Sequence, residues 1–275
     1  MSVITSHPPA ARPHWPAYLT EAGGAACFVI GSGLATLLAE HPALPVAQAL
    51  LGHAVARRAV TGVLVALLLC AMAYSPWGHR SGAHFNPAVT LGFWQLGRIS
   101  GADALAYALA QVAGAATGAA LLHLALASWL AHPAVHSLLT QPKPVPNGTL
   151  VAWLAEFIIA GGLMAVLLSA LHSPAWHKAA GAFAATLLAF YIIVETPYSG
   201  MSLNPVRSLG TALAAKEFRG LWVYWTAPPL AMWLVAVGWK YRRGHSLARA
   251  TQPGPAPVQY GAARPLHYPV FHAAD

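Results

Sequence analysis

The sequence predicts an all-α membrane protein in which six transmembrane helices and two re-entrant half-helices form an inverted repeat. Three observations lead there. Of 275 residues, 57% are hydrophobic and 8% charged, whereas about 25% of a soluble domain is charged. Six apolar stretches are long enough to cross a hydrocarbon core about 30 Å thick. Two shorter apolar stretches each open on Asn-Pro and stand at matching places in the two halves of the chain.

The first span runs from about Tyr18 to Ala39, stopped by Glu40 and Pro42, and the second from Arg57 to Tyr74, stopped by Pro76. The stretch from Ala88 to Leu96 is too short to cross. A third span covers Ala102 to Trp129. From His132 to Gly148 come four prolines and no periodic pattern, so a surface loop is expected there, of the length that folds back over a pore mouth. The fourth span is Leu150 to Leu171, the fifth Ala179 to Val194, and the sixth Leu221 to Trp239, with a second short piece, Val206 to Ala214, before the last. Residues 1–16 form an N-terminal tail without the basic, apolar and small-residue pattern of a cleavable signal. Residues 244–275, rich in proline, alanine and glycine, read as a disordered tail. Between them, 17–243 make a single domain with halves at about 17–130 and 149–243.

Because each half crosses three times, the second begins on the opposite face and the repeat is inverted. Each first span carries a glutamate: Glu21 in YLTEAGGAACFVIG and Glu156 in WLAEFIIAGGLMAV. With the N-terminus inside, the outer face receives five cations, Arg57, Arg58, Lys143, Lys216 and Arg219, against nine inside, Arg207 being set aside; this orientation follows the positive-inside rule. Such flanking residues also account for the net charge of +8. No basic run is dense enough for nucleic acid, so the expected partner is the lipid bilayer. Cys27 and Cys70 offer neither a disulfide framework nor zinc spacing, and the fourteen histidines show no metal spacing. No cofactor, metal or catalytic constellation is expected, and hence no enzyme.

The Asn-Pro pairs have a physical reading. About ten helical residues at 1.5 Å each reach about 15 Å, half of the hydrocarbon core. Such a segment enters and turns back, leaving its free end deep in the membrane, where unpaired amides cost several kcal/mol each. Asparagine is among the best N-caps, and proline suits the first helical position because it has no N–H to satisfy. Asn86-Pro87 and Asn204-Pro205 therefore start two half-helices. Each side-chain oxygen caps while the NH2 group remains a donor, and each tip brings the positive end of a helix dipole. Where two such tips meet, cations and protons are repelled and oxygen-bearing neutral solutes find hydrogen bonds.

The stretches SGAHFNPAVTLGF and SGMSLNPVRSLGTAL, with Glu21, Glu156 and the AQVAG around Gln111, resemble the aquaporin, or major intrinsic protein, family over about Tyr18 to Trp239. The resemblance implies a homotetramer with one pore per subunit, in the cell membrane with both termini cytoplasmic, passing water or small neutral solutes. It implies a carbonyl ladder from Gly82, Ala83, His84, Gly200, Met201 and Ser202, a waist at Asn86 and Asn204 with Pro87 and Pro205, and an outer constriction. Counted without gaps, that constriction is Ala66, Ile192, Met201 and Arg207. Strict water channels of the family tend to carry an aromatic where Ala66 stands and a histidine where Ile192 stands. The expected opening is therefore wider and more apolar, admitting glycerol, urea or metalloid hydroxides.

Two departures oppose or complicate this. Ser208 stands where glycerol conductors usually carry aspartate, and Val206 replaces an alanine at a place where the half-helix tips are expected to pack closely. Glu21 and Glu156 are expected to support the loops by accepting backbone N–H groups, a proton relay being the other reading. Cys70, one turn from Ala66, is expected on the pore face. An ion-coupled secondary transporter, or a structural membrane protein with a vestigial pore, stays open at this level.

Overall fold

The computed structural model describes residues 13–143 and 145–250. The first half contains α1 (Trp15–Glu40), α2 (Pro45–Ala49), α3 (Ala54–Ala73), α4 (Pro76–Ser81), α5 (Pro87–Gln95) and α6 (Gly101–Leu130). The second contains α7 (Gly148–Leu171), α8 (Ala180–Ser199), α9 (Pro205–Ala215) and α10 (Leu221–Ala250). Six of these, α1, α3, α6, α7, α8 and α10, are long and apolar enough to cross a membrane. Among the described residues there is no strand. The fold is thus the all-α, six-span membrane architecture with two short re-entrant helices, α5 and α9, of nine and eleven residues.

Several boundaries differ from the sequence reading. α8 runs past Val194 to Ser199 because Pro197 lies in its last turn, where only one helical hydrogen bond is lost. The helix stops at Gly200, whose φ of 80° turns the chain left-handed. α10 continues beyond Trp239 to Ala250 despite Pro228 and Pro229 inside it, so residues 244–250, expected to be disordered, are helical. The remainder of that tail, 251–275, and residues 1–12 lie outside the described residues.

Small residues set how closely the helices approach. Gly114 and Gly118, one turn apart on α6, face α1: a Cβ on them would come within 1.9 Å of the Ala22 carbonyl and 2.6 Å of the Ala26 carbonyl. This is the small-xxx-small contact that lets membrane helices pack backbone to backbone. In the second half α7 packs on α10, while α3 on α8 joins the halves. The half-helices cross over, α5 lying against α10 and α9 against α6. The main core fills the space between them with Ala88, Val89, Ile159, Met164, Leu188, Ile192 and Met232. Large apolar side chains such as Leu67, Leu109, Leu124 and Ile158 point outward and stay exposed, as a surface solvated by lipid requires. Trp15, Trp176 and Trp222 are exposed at span ends, in the manner of an interfacial aromatic belt.

The segment joining the halves is more than a surface loop. Val135 and Leu138, flanking and within a short 3-10 turn at His136–Leu138, are buried with Leu37, Leu122 and Leu130. Thr140 is buried as well. Two apolar side chains in an otherwise proline-broken stretch are enough to draw it into the end of the bundle beside α1 and α6.

Candidate functional site

The half-helix tips are built alike. Asn86 caps α5 by accepting the Ala88 N–H at 2.8 Å, and its Nδ2 donates to the Leu203 carbonyl at 2.9 Å. Asn204 caps α9 by accepting the Val206 N–H at 3.2 Å, and its Nδ2 donates to the Phe85 carbonyl at 2.8 Å. Each amide thus reaches across to the residue that precedes the other asparagine. An NH2 group carries two hydrogens, so each asparagine keeps one donor beyond the cross-link. The tips abut through these reciprocal bonds, and both helix dipoles converge there with positive ends inward.

The loops leading to the tips are held by the buried glutamates. Glu21 accepts the His84 N–H at 3.0 Å, the Phe85 N–H at 2.6 Å and the Gln111 amide at 2.7 Å. Glu156 accepts the Ser202 N–H at 2.7 Å, the Leu203 N–H at 2.8 Å and the Ser199 hydroxyl at 2.7 Å. In a trans peptide the N–H and C=O point in opposite directions. When the N–H groups of 84 and 85 turn toward Glu21, the carbonyls of Ala83 and His84 turn away from it. The same holds for Met201 and Ser202 opposite Glu156. This geometry needs left-handed backbone at Gly82, Ala83 and Phe85, and again at Gly200, Met201 and Leu203, with φ between 48° and 84°. Non-glycine residues held there cost on the order of 1 to 3 kcal/mol each, which the charge-assisted bonds to the carboxylates offset.

On the side of the connecting segment the bundle opens into a cavity of about 490 Å³. Phe28, Val65, Leu188 and Ile192 line it with apolar surface, beside the hydroxyls of Ser32, Thr36 and Thr61 on the same helices, and Gly200, Met201, Ser202 and Arg207 line it as well. Arg207 donates from Nη1 to the Met201 carbonyl at 3.0 Å, and among the described residues it forms no ion pair. Ile192, Met201 and Arg207 all line this cavity.

Ala66 does not join them. On α3 the lining residues are Arg57, Arg58, Thr61 and Val65, one position earlier than the ungapped count. That count passes from Asn86 back through α4 and the break at Tyr74–Ser75, where helical register is not continuous; the spacing of Arg58, Thr61 and Val65 within α3 fixes the face instead. Cys70, five residues after Val65, lies about 140° around the helix from it and is absent from the cavity wall. Val206 also differs from expectation. Its side chain is buried against Ala25, Val29, Ala115 and Ala119 of α1 and α6, not between the tips. Alanines make room for its methyls.

A family model described as Major intrinsic protein matches residues 12–237. The chain belongs to the major intrinsic protein family. It is 38% identical over 166 residues to Aquaporin NIP1-1 of Oryza sativa subsp. japonica, covering 60% of this chain and 55% of the relative. It is 35% identical over 177 residues to Nodulin-26 of Glycine max, covering 64% of this chain and 61% of that one. The match thus spans less than two thirds of each relative's length. The fold resembles that of the aquaglyceroporin from Plasmodium falciparum, with a TM-score of 0.68 at 17% identity over 86% of this chain and all of the other.

In this major intrinsic protein several site residues escaped the sequence reading. Ser81 and Ser199 begin the two loops: their hydroxyls accept the N–H of Ala83 at 3.2 Å and Met201 at 3.0 Å. Tyr107 and Tyr224 donate to the carbonyls of these same serines. The repeated Ser-Gly, five residues before each asparagine, was the available signal. Ser208 has a structural use as well: it accepts from the Thr140 hydroxyl at 2.6 Å and pairs with the Ser202 hydroxyl at 2.6 Å, tying the connecting segment to α9 beside Arg207. Glu195 on α8 is buried, and neither carboxyl oxygen has a hydrogen-bond partner among the described residues. His84 is fixed by its Nδ1 contact with the Thr90 hydroxyl at 3.1 Å and by stacking on Phe93. Among the described residues no group of three His, Cys, Asp or Glu side chains could hold a metal ion.

Proposed function

We propose that the chain is a passive channel for water and small uncharged solutes, with glycerol, urea and metalloid hydroxides among them, that excludes protons and ions. The observation that carries this reading is the reciprocal bonding of Asn86 and Asn204 to the opposite loop. It fixes two positive helix ends and two spare amide donors at one point. Such a point repels cations and offers hydrogen bonds to neutral oxygen, and it presents no carboxylate with which an ion-coupled transporter would bind sodium or a proton. The similarity to an aquaporin, and in fold to an aquaglyceroporin, supports a channel and not an enzyme.

The roles follow from position. The carbonyls of Gly82, Ala83, His84, Gly200, Met201 and Ser202 line the path, Asn86 and Asn204 form its waist, and Glu21 and Glu156 hold the loops. Val65, Ile192, Met201 and Arg207 form the outer constriction. With no aromatic among these four, that constriction is wide and apolar apart from its arginine. The channel lies within residues 17–243, assembles as a homotetramer, and sits in the cell membrane with its termini in the cytoplasm, the orientation that the lysine and arginine distribution favours.

Swelling of proteoliposomes in glycerol, urea and boric acid tests the solute range. Entry of all three is expected alongside water; water flow with none of them entering removes the wide constriction from the reading. Val65→Trp is expected to slow glycerol and urea about tenfold, equivalent to about 1.4 kcal/mol of added barrier, and more than it slows water. Cys70→Ser is expected to leave any inhibition by mercurials in place. Loss of inhibition in that variant would return Cys70 to the pore wall.

A further inference from the structure

The cavity holds a guanidinium with an unmatched buried donor. Arg57, Arg58 and Arg207 line it, with Glu40 as its one lining carboxylate. Glu40 is already engaged, accepting from the Arg57 Nε at 2.9 Å. Neither Arg58 nor Arg207 forms an ion pair among the described residues, and the Arg58 Nε is buried with no hydrogen-bond partner. A buried donor left unmatched on a charged group is costly.

The placement of Arg57 and Arg58 is unfavourable in two further ways. They are the fourth and fifth residues of α3, whose first turn has no acidic residue, so they lie close to the positive end of the helix dipole. Both also fall on the outer face, against the positive-inside tendency. Attraction to lipid phosphate does not explain Arg58. Beyond the first turn of α3 the exposed apolar residues, Val63 and Leu67, lie about 140° and 180° around the helix from it, and the nearer Val55 is exposed only in the first turn, whereas Arg58 lines the cavity with Thr61 and Val65.

We propose that this vestibule is a binding site for a small oxyanion, held by Arg58. The planar guanidinium fork matches a carboxylate or phosphate. Ser32, Thr36 and Thr61 on the same wall have hydroxyls that now donate to carbonyls of their own helices and can rotate to donate to the ligand. A bound oxyanion stands between the outside and Arg207 and obstructs passage. Binding does not depend on the channel reading; the obstruction does.

The test uses inorganic phosphate at millimolar concentration, below the range of general kosmotropic stabilisation, against chloride at equal ionic strength. In lipid-free detergent, where no headgroup competes, phosphate is expected to raise the melting temperature of the full chain saturably. Arg58→Gln is expected to weaken that binding roughly tenfold or more, the loss of a charge-assisted bond, while Arg58→Lys retains most of it. In proteoliposomes external phosphate is expected to lower water flow, each variant being measured against its own flow in chloride. No phosphate-dependent shift, or an equal shift in Arg58→Gln, overturns the site. Absence of water flow in chloride would instead count against the channel, and the melting experiment would still decide the oxyanion.

Discussion

Glu156→Gln is expected to remove most of the folded protein while leaving the solute preference of the surviving fraction unchanged. In the native arrangement Oε1 takes both the Ser199 hydroxyl and the Ser202 N–H, and Oε2 takes the Leu203 N–H. An amide keeps one acceptor oxygen and presents an NH2 where the other stood, so one loop N–H then faces a donor. An orphaned buried donor costs about 1 to 3 kcal/mol, and the bonds that survive lose their charge assistance, roughly halving their strength. The left-handed backbone at Met201 and Leu203 loses its restraint at the same time. A total of about 2 to 5 kcal/mol is a large part of the 5 to 15 kcal/mol that typically holds a fold. Glu21→Gln is expected to act alike through His84 and Phe85, since its carboxylate is used in the same way. Monodisperse yield by size exclusion and the melting temperature read the effect. Wild-type values for both in Glu156→Gln, with altered solute flux, would move Glu156 from loop support to the path itself.

The parts of this architecture readable from sequence are those set by local chemistry. A span declares itself through twenty apolar residues, and a half-helix start through Asn-Pro, because capping needs only the asparagine and the N–H two positions on. Glu21 and Glu156 could be singled out because a carboxylate in an apolar span needs a partner, and the loops had donors to offer. What failed depended on register or on packing across the bundle. Ala66 was placed on the cavity by a count that ran through α4, whereas Val65 holds that position; no local property of either residue distinguishes them. Val206 was expected between the tips, but the direction of a side chain on the first turn of α9 depends on how that helix leans on α1 and α6. The connecting segment looked like a surface loop because four prolines hide two buried apolar residues, Val135 and Leu138. Thr140 could not be foreseen as a partner of Ser208, 68 residues away. The repeated Ser-Gly was legible and went unread.

Arg207→Ala is expected to let protons and monovalent cations through at least tenfold faster, and to raise glycerol and urea flux as well. The guanidinium is pinned to the Met201 carbonyl and has no ion-pair partner among the described residues, so its charge stays fixed on the cavity lining, offset only in part by the buried Glu156 and Glu195. Phe28, Val65, Leu188 and Ile192 add apolar surface to the same cavity, which screens that charge poorly. At an effective dielectric constant of about 20, two unit charges about 4 Å apart repel by about 4 kcal/mol, nearly a thousandfold in rate. The increase falls short of that because the tips of α5 and α9 remain as a second barrier, each with roughly half a positive charge. Removing the side chain also widens the opening, which is why neutral solutes gain with the cations. Decay of a pH gradient in dye-loaded proteoliposomes, measured beside glycerol swelling, separates the two consequences. Faster glycerol entry with unchanged proton leak would assign the electrostatic barrier entirely to the Asn86 and Asn204 tips and leave Arg207 a steric role.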